Sequence, residues 1–221
     1  MARVLMVLTG AGALVMADGT THPTGFWAEE VAASHQVLTT AGIDVGIATP
    51  GGVQPPPDRN SMTAPFTGYL DGIADQLATP LALADVSIDD YDAIHIPGGH
   101  GPMADLAVDA DMSRLLRAAN ERGVVVAALC HGLAALLSTA QDGDFAFSGK
   151  RLTVFSNAEE LGGGTGENTP YFVETRLREL GAVVEVGAPW SDTVVVDGTL
   201  ITGQNPQSSV TTAERVVAAL R

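Results

Sequence analysis

Apolar residues in this chain come in short β-rich runs that alternate with stretches of helical period. Arg3 to Thr9 is a continuous apolar run ending at Gly10, the pattern of a strand buried on both faces. Gly25 to Ala41 has helical spacing, with Trp27, Val31, Ser34 and Leu38 along one side, and Asp44 to Thr49 is the next strand. Residues 54 to 66, rich in proline and polar side chains, form a long loop of the kind that often serves function. A weakly helical region, Tyr69 to Ala84, leads to a strand at Tyr91 to Ile96 that runs into Pro97-Gly-Gly-His-Gly101.

Helix Met112–Arg122, strand Gly123–Leu129 and a helix from His131 to about Thr139 follow, then strand Lys150–Ser156 and helix Pro170–Leu180. Val194 to Ile201 folds back around Asp197-Gly198, a hairpin signal. The last helix starts near Thr211, where Thr211 and Glu214 have capping-box spacing. Repeated β-α-β units imply one α/β domain over residues 1–221, a mostly parallel central sheet with helices on both faces. Ligands then bind at the carboxyl ends of the strands. Gly162-Gly-Gly164 lacks flanking elements and reads as flexible loop.

Composition narrows the class. With 46% hydrophobic and 17% charged residues, the 221-residue chain can bury a real core. A formal net charge of -15 argues against a nucleic-acid partner, which needs a basic face. No apolar run is long enough to span a bilayer, and the apolar start, broken by Gly10 and Gly12, reads as a strand rather than a signal segment. One cysteine excludes an internal disulfide and a zinc-thiolate cluster, and fits a reducing cytoplasm.

That cysteine carries the chemistry. Ala128-Leu-Cys130-His-Gly132 has small residues two positions to either side of Cys130, the requirement for a sharp strand-to-helix turn that projects a nucleophile. Amides at the start of a helix there can lower a thiol pKa from about 8.5 to roughly 3.5–7.5. The glycines after the Ile96 strand, Gly98 and Gly99, can bring amides to a substrate oxygen, and the His131 amide would complete an oxyanion hole. The five histidines are His22, His35, His95, His100 and His131; none lies beyond His131, which excludes a papain-like or conventional glutaminase triad. Their spacing with carboxylates suggests no metal set, and no cofactor fingerprint is present. Glu29 and Glu30 open the helix after the first strand; either could shuttle a proton beside the thiol or simply favour the helix start.

Five ordered motifs, Thr24-Gly-Phe-Trp-Ala-Glu-Glu30, Ile96-Pro-Gly-Gly-His-Gly-Pro-Met-Ala-Asp-Leu106, Ala128-Leu-Cys-His-Gly132, Phe155-Ser-Asn-Ala-Glu-Glu160 and Thr202-Gly-Gln-Asn-Pro-Gln-Ser208, resemble the ThiJ/PfpI superfamily over nearly the whole chain. That superfamily has a class I glutamine amidotransferase-like, flavodoxin-like fold, and the branch that this chain resembles holds stress chaperones and glyoxalase III proteins. The resemblance implies Cys130 as nucleophile, Glu30 as the carboxyl beside it and His131 as its histidine. Glu160, or Glu159 if the register slips by one, would orient that histidine, with Gly98 and Gly99 at the oxyanion hole. It further implies cofactor-free conversion of methylglyoxal to lactate by a cytoplasmic homodimer. A holding chaperone, a deglycase and a cysteine redox sensor are the alternatives that it leaves.

Overall fold

The computed structural model describes residues 1–141 and 143–221. In chain order its strands are β1 (Arg3–Val7), β2 (Ala13–Val15), β3 (Thr21–Pro23), β4 (Asp44–Thr49), β5 (Leu81–Ala82), β6 (Ala93–Ile96), β7 (Val125–Leu129), β8 (Arg151–Leu152), β9 (Val183–Val184), β10 (Val194–Asp197) and β11 (Leu200–Gly203). The helices are α1 (Ala28–Thr40), α2 (Ala64–Gly72), α3 (Ala74–Ala78), α4 (Ala110–Arg122), α5 (Asn157–Gly163), α6 (Val173–Glu179) and α7 (Ser209–Ala219). The main sheet runs β10-β11-β7-β6-β1-β4-β5, parallel throughout except for the β10–β11 hairpin.

The continuous apolar runs follow from burial of the sheet on both faces. In β1, Val4 and Met6 face Val31, Leu38 and Val216 of α1 and α7, while Leu5 and Val7 belong to the core formed with Leu115 and Leu116 of α4 and Leu177 of α6. β4 and β6 lie on opposite sides of β1, so the order reverses there, and crevices at the carboxyl ends of the strands open at such a point. Ile96 pairs with Ala128, so the turns after β6 and β7 leave the sheet side by side.

Several elements differ from the sequence expectation. Cys130–Ala140 is helical as expected but wound as a 3-10 helix, with the Ser138 and Thr139 hydroxyls donating back to Ala135 and Leu136. Only Arg151–Leu152 of the expected 150–156 strand is extended into a ladder, and it pairs with β9 outside the main sheet. The reason is visible at Thr153, whose amide donates to the Thr202 side chain instead of a strand backbone. α7 starts two residues before Thr211, whose hydroxyl donates to Asp192 and caps nothing. The β2–β3 hairpin had no signature in the sequence, since its in–out alternation lasts three residues.

The 54–66 segment is a loop only as far as Thr63, after which α2 begins. It is fastened to the start of α1: Phe26 donates to the Pro56 carbonyl, Asp58 donates back to Phe26, and the Ser61 hydroxyl accepts the Ala28 amide at 2.9 Å. α1 has no cap of its own, and Ser61 supplies one from this loop. Among the described residues, no helix is long and apolar enough to cross a membrane.

Candidate active site

β7 ends at Leu129, and Cys130 takes φ 56°, left-handed backbone that a non-glycine residue occupies at a cost of about 1–3 kcal/mol. The turn closes because residue 132 is glycine: a Cβ there would collide with the carbonyls of Ile96 and Pro97. Gly99, at φ 92°, has the same role on the facing turn, where a Cβ would lie 2.8 Å from the Trp27 nitrogen. Gly132 therefore permits the close approach of the β6 and β7 turns, and Gly99 that of the β6 turn to the chain entering α1.

The resulting site gathers every residue expected from the sequence. Cys130 Sγ lies 3.4 Å from Nδ1 of His131, and His131 Nε2 lies 2.5 Å from Oε2 of Glu160. Adjacent residues meet here because the strained turn, unlike a helix, lets the imidazole fold back over the sulfur. Glu30, fully buried in α1, accepts the Gly98 amide on Oε2 at 2.6 Å, while its Oε1 has no hydrogen-bond partner among the described residues. Gly98 is thus occupied by Glu30, and the amides acting on the Cys130 sulfur are those of Gly99 and His131. Glu159 is turned away: it closes a capping box with Ser156 and accepts the Trp190 amide at 2.7 Å and Asn205 Nδ2 at 2.8 Å.

His100, for which the sequence suggested no role, is part of the site. Its Nε2 lies 3.2 Å from Glu160 Oε1, and its ring is 4.0 Å from that of His131, which Phe155 flanks at 4.4 Å on the other contact. Thr165 also donates its amide and hydroxyl to Glu160 Oε1, at 2.6 and 2.8 Å. The glycines expected to be flexible loop are structural: Gly162 and Gly163 end α5, and a Cβ on Gly164 would strike the Glu160 carboxylate. Trp27, Phe155, Trp190 and Pro206 complete a small cavity of about 80 Å³ over Cys130 and His131. A water needs on the order of 10–15 Å³ on the same measure, so the cavity suits a molecule of a few heavy atoms.

The electrostatics correct one expectation. Burial pushes the Cys130 thiol up rather than down, and the neighbouring Glu30 adds to the rise; the His131 and Gly99 amides oppose it without offsetting it. Burial also raises Glu30 to about 8, so its carboxyl holds a proton at neutral pH. His131 is pushed down to about 4 by burial and then by the nearby His100, so it is a neutral acceptor. Burial opposes ionisation of Glu160, but hydrogen bonds from His100 and His131 prevail and hold it well below the usual carboxylate range. With Nε2–H given to Glu160, the lone pair of His131 sits on Nδ1, the atom facing the sulfur.

A parallel α/β sheet carrying a cysteine on a strained turn, backed by a histidine and a carboxylate, defines a class of nucleophile-elbow enzymes. Within that class, the chain belongs to the DJ-1/PfpI family, whose profile matches residues 21–219. It is 28% identical to glyoxalase 3 of Candida albicans, covering 99% of this chain and 98% of that one. It is also 28% identical to the protein/nucleic acid deglycase HchA of Pseudomonas aeruginosa, over 94% of this chain and 77% of the relative. Among solved structures, the Francisella tularensis Rapid Encystment Protein 24 kDa superposes with a TM-score of 0.90 at 30% identity, with both chains fully covered.

Proposed function

We propose that this protein is a glutathione-independent glyoxalase that converts methylglyoxal to lactate through a covalent adduct on Cys130. The carrying observation is that His131 Nδ1 lies 3.4 Å from a buried sulfur that also neighbours the buried Glu30 carboxyl, in a cavity sized for a few heavy atoms. Burial lowers His131 and raises Glu30, which suits the first to accept a proton and the second to donate one. The full-length likeness to glyoxalase 3 supports the same reading.

In this mechanism the thiol proton passes to His131 Nδ1 as the sulfur adds to the aldehyde carbon. The developing oxyanion is met by the Gly99 and His131 amides and then takes the Glu30 proton. Glu30, now a carboxylate, removes the proton from the hemithioacetal carbon and returns it to the adjacent carbon of the enediol. His131 exchanges the oxygen-bound protons, which leaves a lactoyl thioester. Water attacks that thioester, Glu30 takes one water proton and His131 reprotonates the departing sulfur. The net reaction is methylglyoxal plus water to lactate, with no cofactor consumed. The raised thiol pKa fits this concerted transfer better than a standing thiolate, and it disfavours the redox-sensor alternative, since oxidation follows thiolate character.

The deglycase reading has the HchA relative in its favour. The tight cavity favours a free small aldehyde over an adduct on a macromolecule. A homodimer in a reducing cytoplasm is the setting that the family resemblance and the single cysteine support; sedimentation velocity reads the first. The deciding experiment is lactate formation from methylglyoxal without glutathione by wild-type and Cys130→Ala protein. Lactate from the wild type alone is expected; equal activity in both would end the proposal.

A further inference from the structure

The proline-rich segment 54–63 crosses the chain that enters α1 and is tied to it residue by residue. Phe26 donates to the Pro56 carbonyl at 2.9 Å, forms a parallel bridge with Pro57 and accepts the Asp58 amide at 2.8 Å. A Cβ on Gly25 would lie 2.0 Å from the Pro56 carbonyl oxygen, so the crossing needs glycine there. Asp58 is buried and fastened in turn: Thr24 Oγ1 donates to its Oδ2 at 3.0 Å and the Asn60 amide to its Oδ1 at 2.9 Å. Pro55, Pro56 and Pro57 fix φ along the approach and stiffen the strap.

Ser61 is where the strap reaches the helix. Its hydroxyl proton goes to the Asp58 carbonyl at 2.7 Å, which leaves the oxygen's lone pairs to the Ala28 amide, 2.9 Å away. Trp27 stands at the N-cap position with no side-chain bond to offer, so Ser61 supplies from another segment what a capping serine ordinarily would. Gly98 holds the same turn from a second side: its carbonyl accepts the Trp27 amide at 2.9 Å, and its amide donates to Glu30 Oε2 at 2.6 Å. Glu30 is the third residue of that turn. The titratable groups acting on its carboxyl are Cys130, from the turn after β7, and Glu29, beside it on α1.

We propose that Ser61 is a positioning residue for Glu30: the strap holds the first turn of α1 closed and keeps the Glu30 carboxyl dry and set against Gly98 and Cys130. This role rests on the glyoxalase reading for the chemistry that Glu30 performs. Ser61 does not line the Cys130 cavity and acts only through the helix. Without its hydroxyl the Ala28 amide loses its acceptor, the turn frays, and water reaches a carboxyl that burial keeps protonated.

Urea unfolding of the full chain at pH 6.5 and pH 8 tests this without an activity assay. Buried Glu30, raised to about 8, makes the wild-type midpoint fall between those two conditions. In Ser61→Ala the hydrated carboxyl moves back toward 4.5, so that fall should shrink by about half or more, whereas a purely structural loss lowers the midpoint equally at both. Ser61→Ala in the Glu30→Gln background should change the fall no further. Thr24→Val, which releases Asp58 but keeps the Ser61 hydroxyl, should act in the same direction and decides the matter if Ser61→Ala does not fold. On methylglyoxal, kcat of Ser61→Ala should drop by roughly tenfold with KM within about threefold. No lactate from the wild type would strike the glyoxalase reading alone, because the midpoints are read without substrate. An undiminished fall in Ser61→Ala, an unchanged kcat, or a wild-type midpoint equal at both pH values would each overturn the role of Ser61.

Discussion

Glu159 and Glu160 are consecutive in α5, yet they serve different walls of the Cys130 cavity. Glu159 Oε1 accepts the Trp190 amide at 2.7 Å, while Glu160 Oε2 lies 2.5 Å from His131 Nε2. The divergence comes from the helix start, where Glu159 is the third residue after the Ser156 cap and bends back to it. Glu160 then falls on the side of α5 that faces the two histidines.

The pair should therefore separate kinetically. Glu160→Gln removes the charge that fixes the His131 tautomer, and kcat should fall by about 10²–10⁴-fold with little change in KM. Glu159→Gln should leave kcat within roughly threefold, raise KM by loosening the Trp190 wall, and cost about 1 kcal/mol through the capping box. Steady-state kinetics on methylglyoxal with urea unfolding of both variants reads this; matching kinetic losses would show that the two carboxylates are not divided in this way.

Glu30 makes stability depend on pH. Its folded value of about 8 lies above the ordinary 4.5, so the folded state keeps a proton that the unfolded chain has lost. Its contribution is complete below 4.5 and is lost as pH rises through about 8. His95 and His131, both pushed down to about 4 by burial, act the other way: their contribution is present above 6.5 and is lost as pH falls towards 4. Between pH 6.5 and 8 the Glu30 slope stands alone of these, on the order of 1–2 kcal/mol. Urea midpoints should fall across that window in wild type and stay flat in Glu30→Gln. Parallel curves would remove the protonated carboxyl from the account.

Much of this arrangement was legible in the chain. β1, β4, β6 and β7 are continuous apolar runs because both faces of the sheet are covered, and Ala128 and Gly132 mark the turn at Cys130 without any partner being known. The choice between Glu159 and Glu160 was also present, since Ser156 with Glu159 is a capping-box spacing that commits Glu159 locally. His100 was not legible: it meets Glu160 only through the packing of α5 against the β6 turn, 60 positions on. The direction of the thiol pKa was not legible either: turn geometry suggests helical amides, whereas the deciding quantities, burial and the Glu30 carboxyl, belong to tertiary structure.

Trp190 should set the size of the substrate. It stands partly exposed at φ 63°, packs edge-on against Phe155 at 5.5 Å and lines the cavity together with Trp27. Trp190→Ala should raise kcat/KM for phenylglyoxal relative to methylglyoxal by roughly tenfold, the scale of a reshaped apolar pocket. An unchanged ratio would place the selectivity elsewhere.

Strain at Cys130 gives the last prediction. At φ 56° any side chain with a Cβ is held against its preference, and at this turn the cost serves only to present the sulfur. Cys130→Ala and Cys130→Gly should both lose all lactate formation. Glycine should nevertheless be the more stable of the two, by up to about 1 kcal/mol after its greater unfolded-state entropy is counted, the reverse of their order inside a helix. The comparison isolates backbone from chemistry, because both variants lack the thiol and its contact with His131. Equal urea midpoints, or alanine the more stable, would mean that the turn relaxes when the sulfur is removed. The left-handed backbone would then be held by the thiol's own contacts rather than by the Gly132 approach to Ile96 and Pro97.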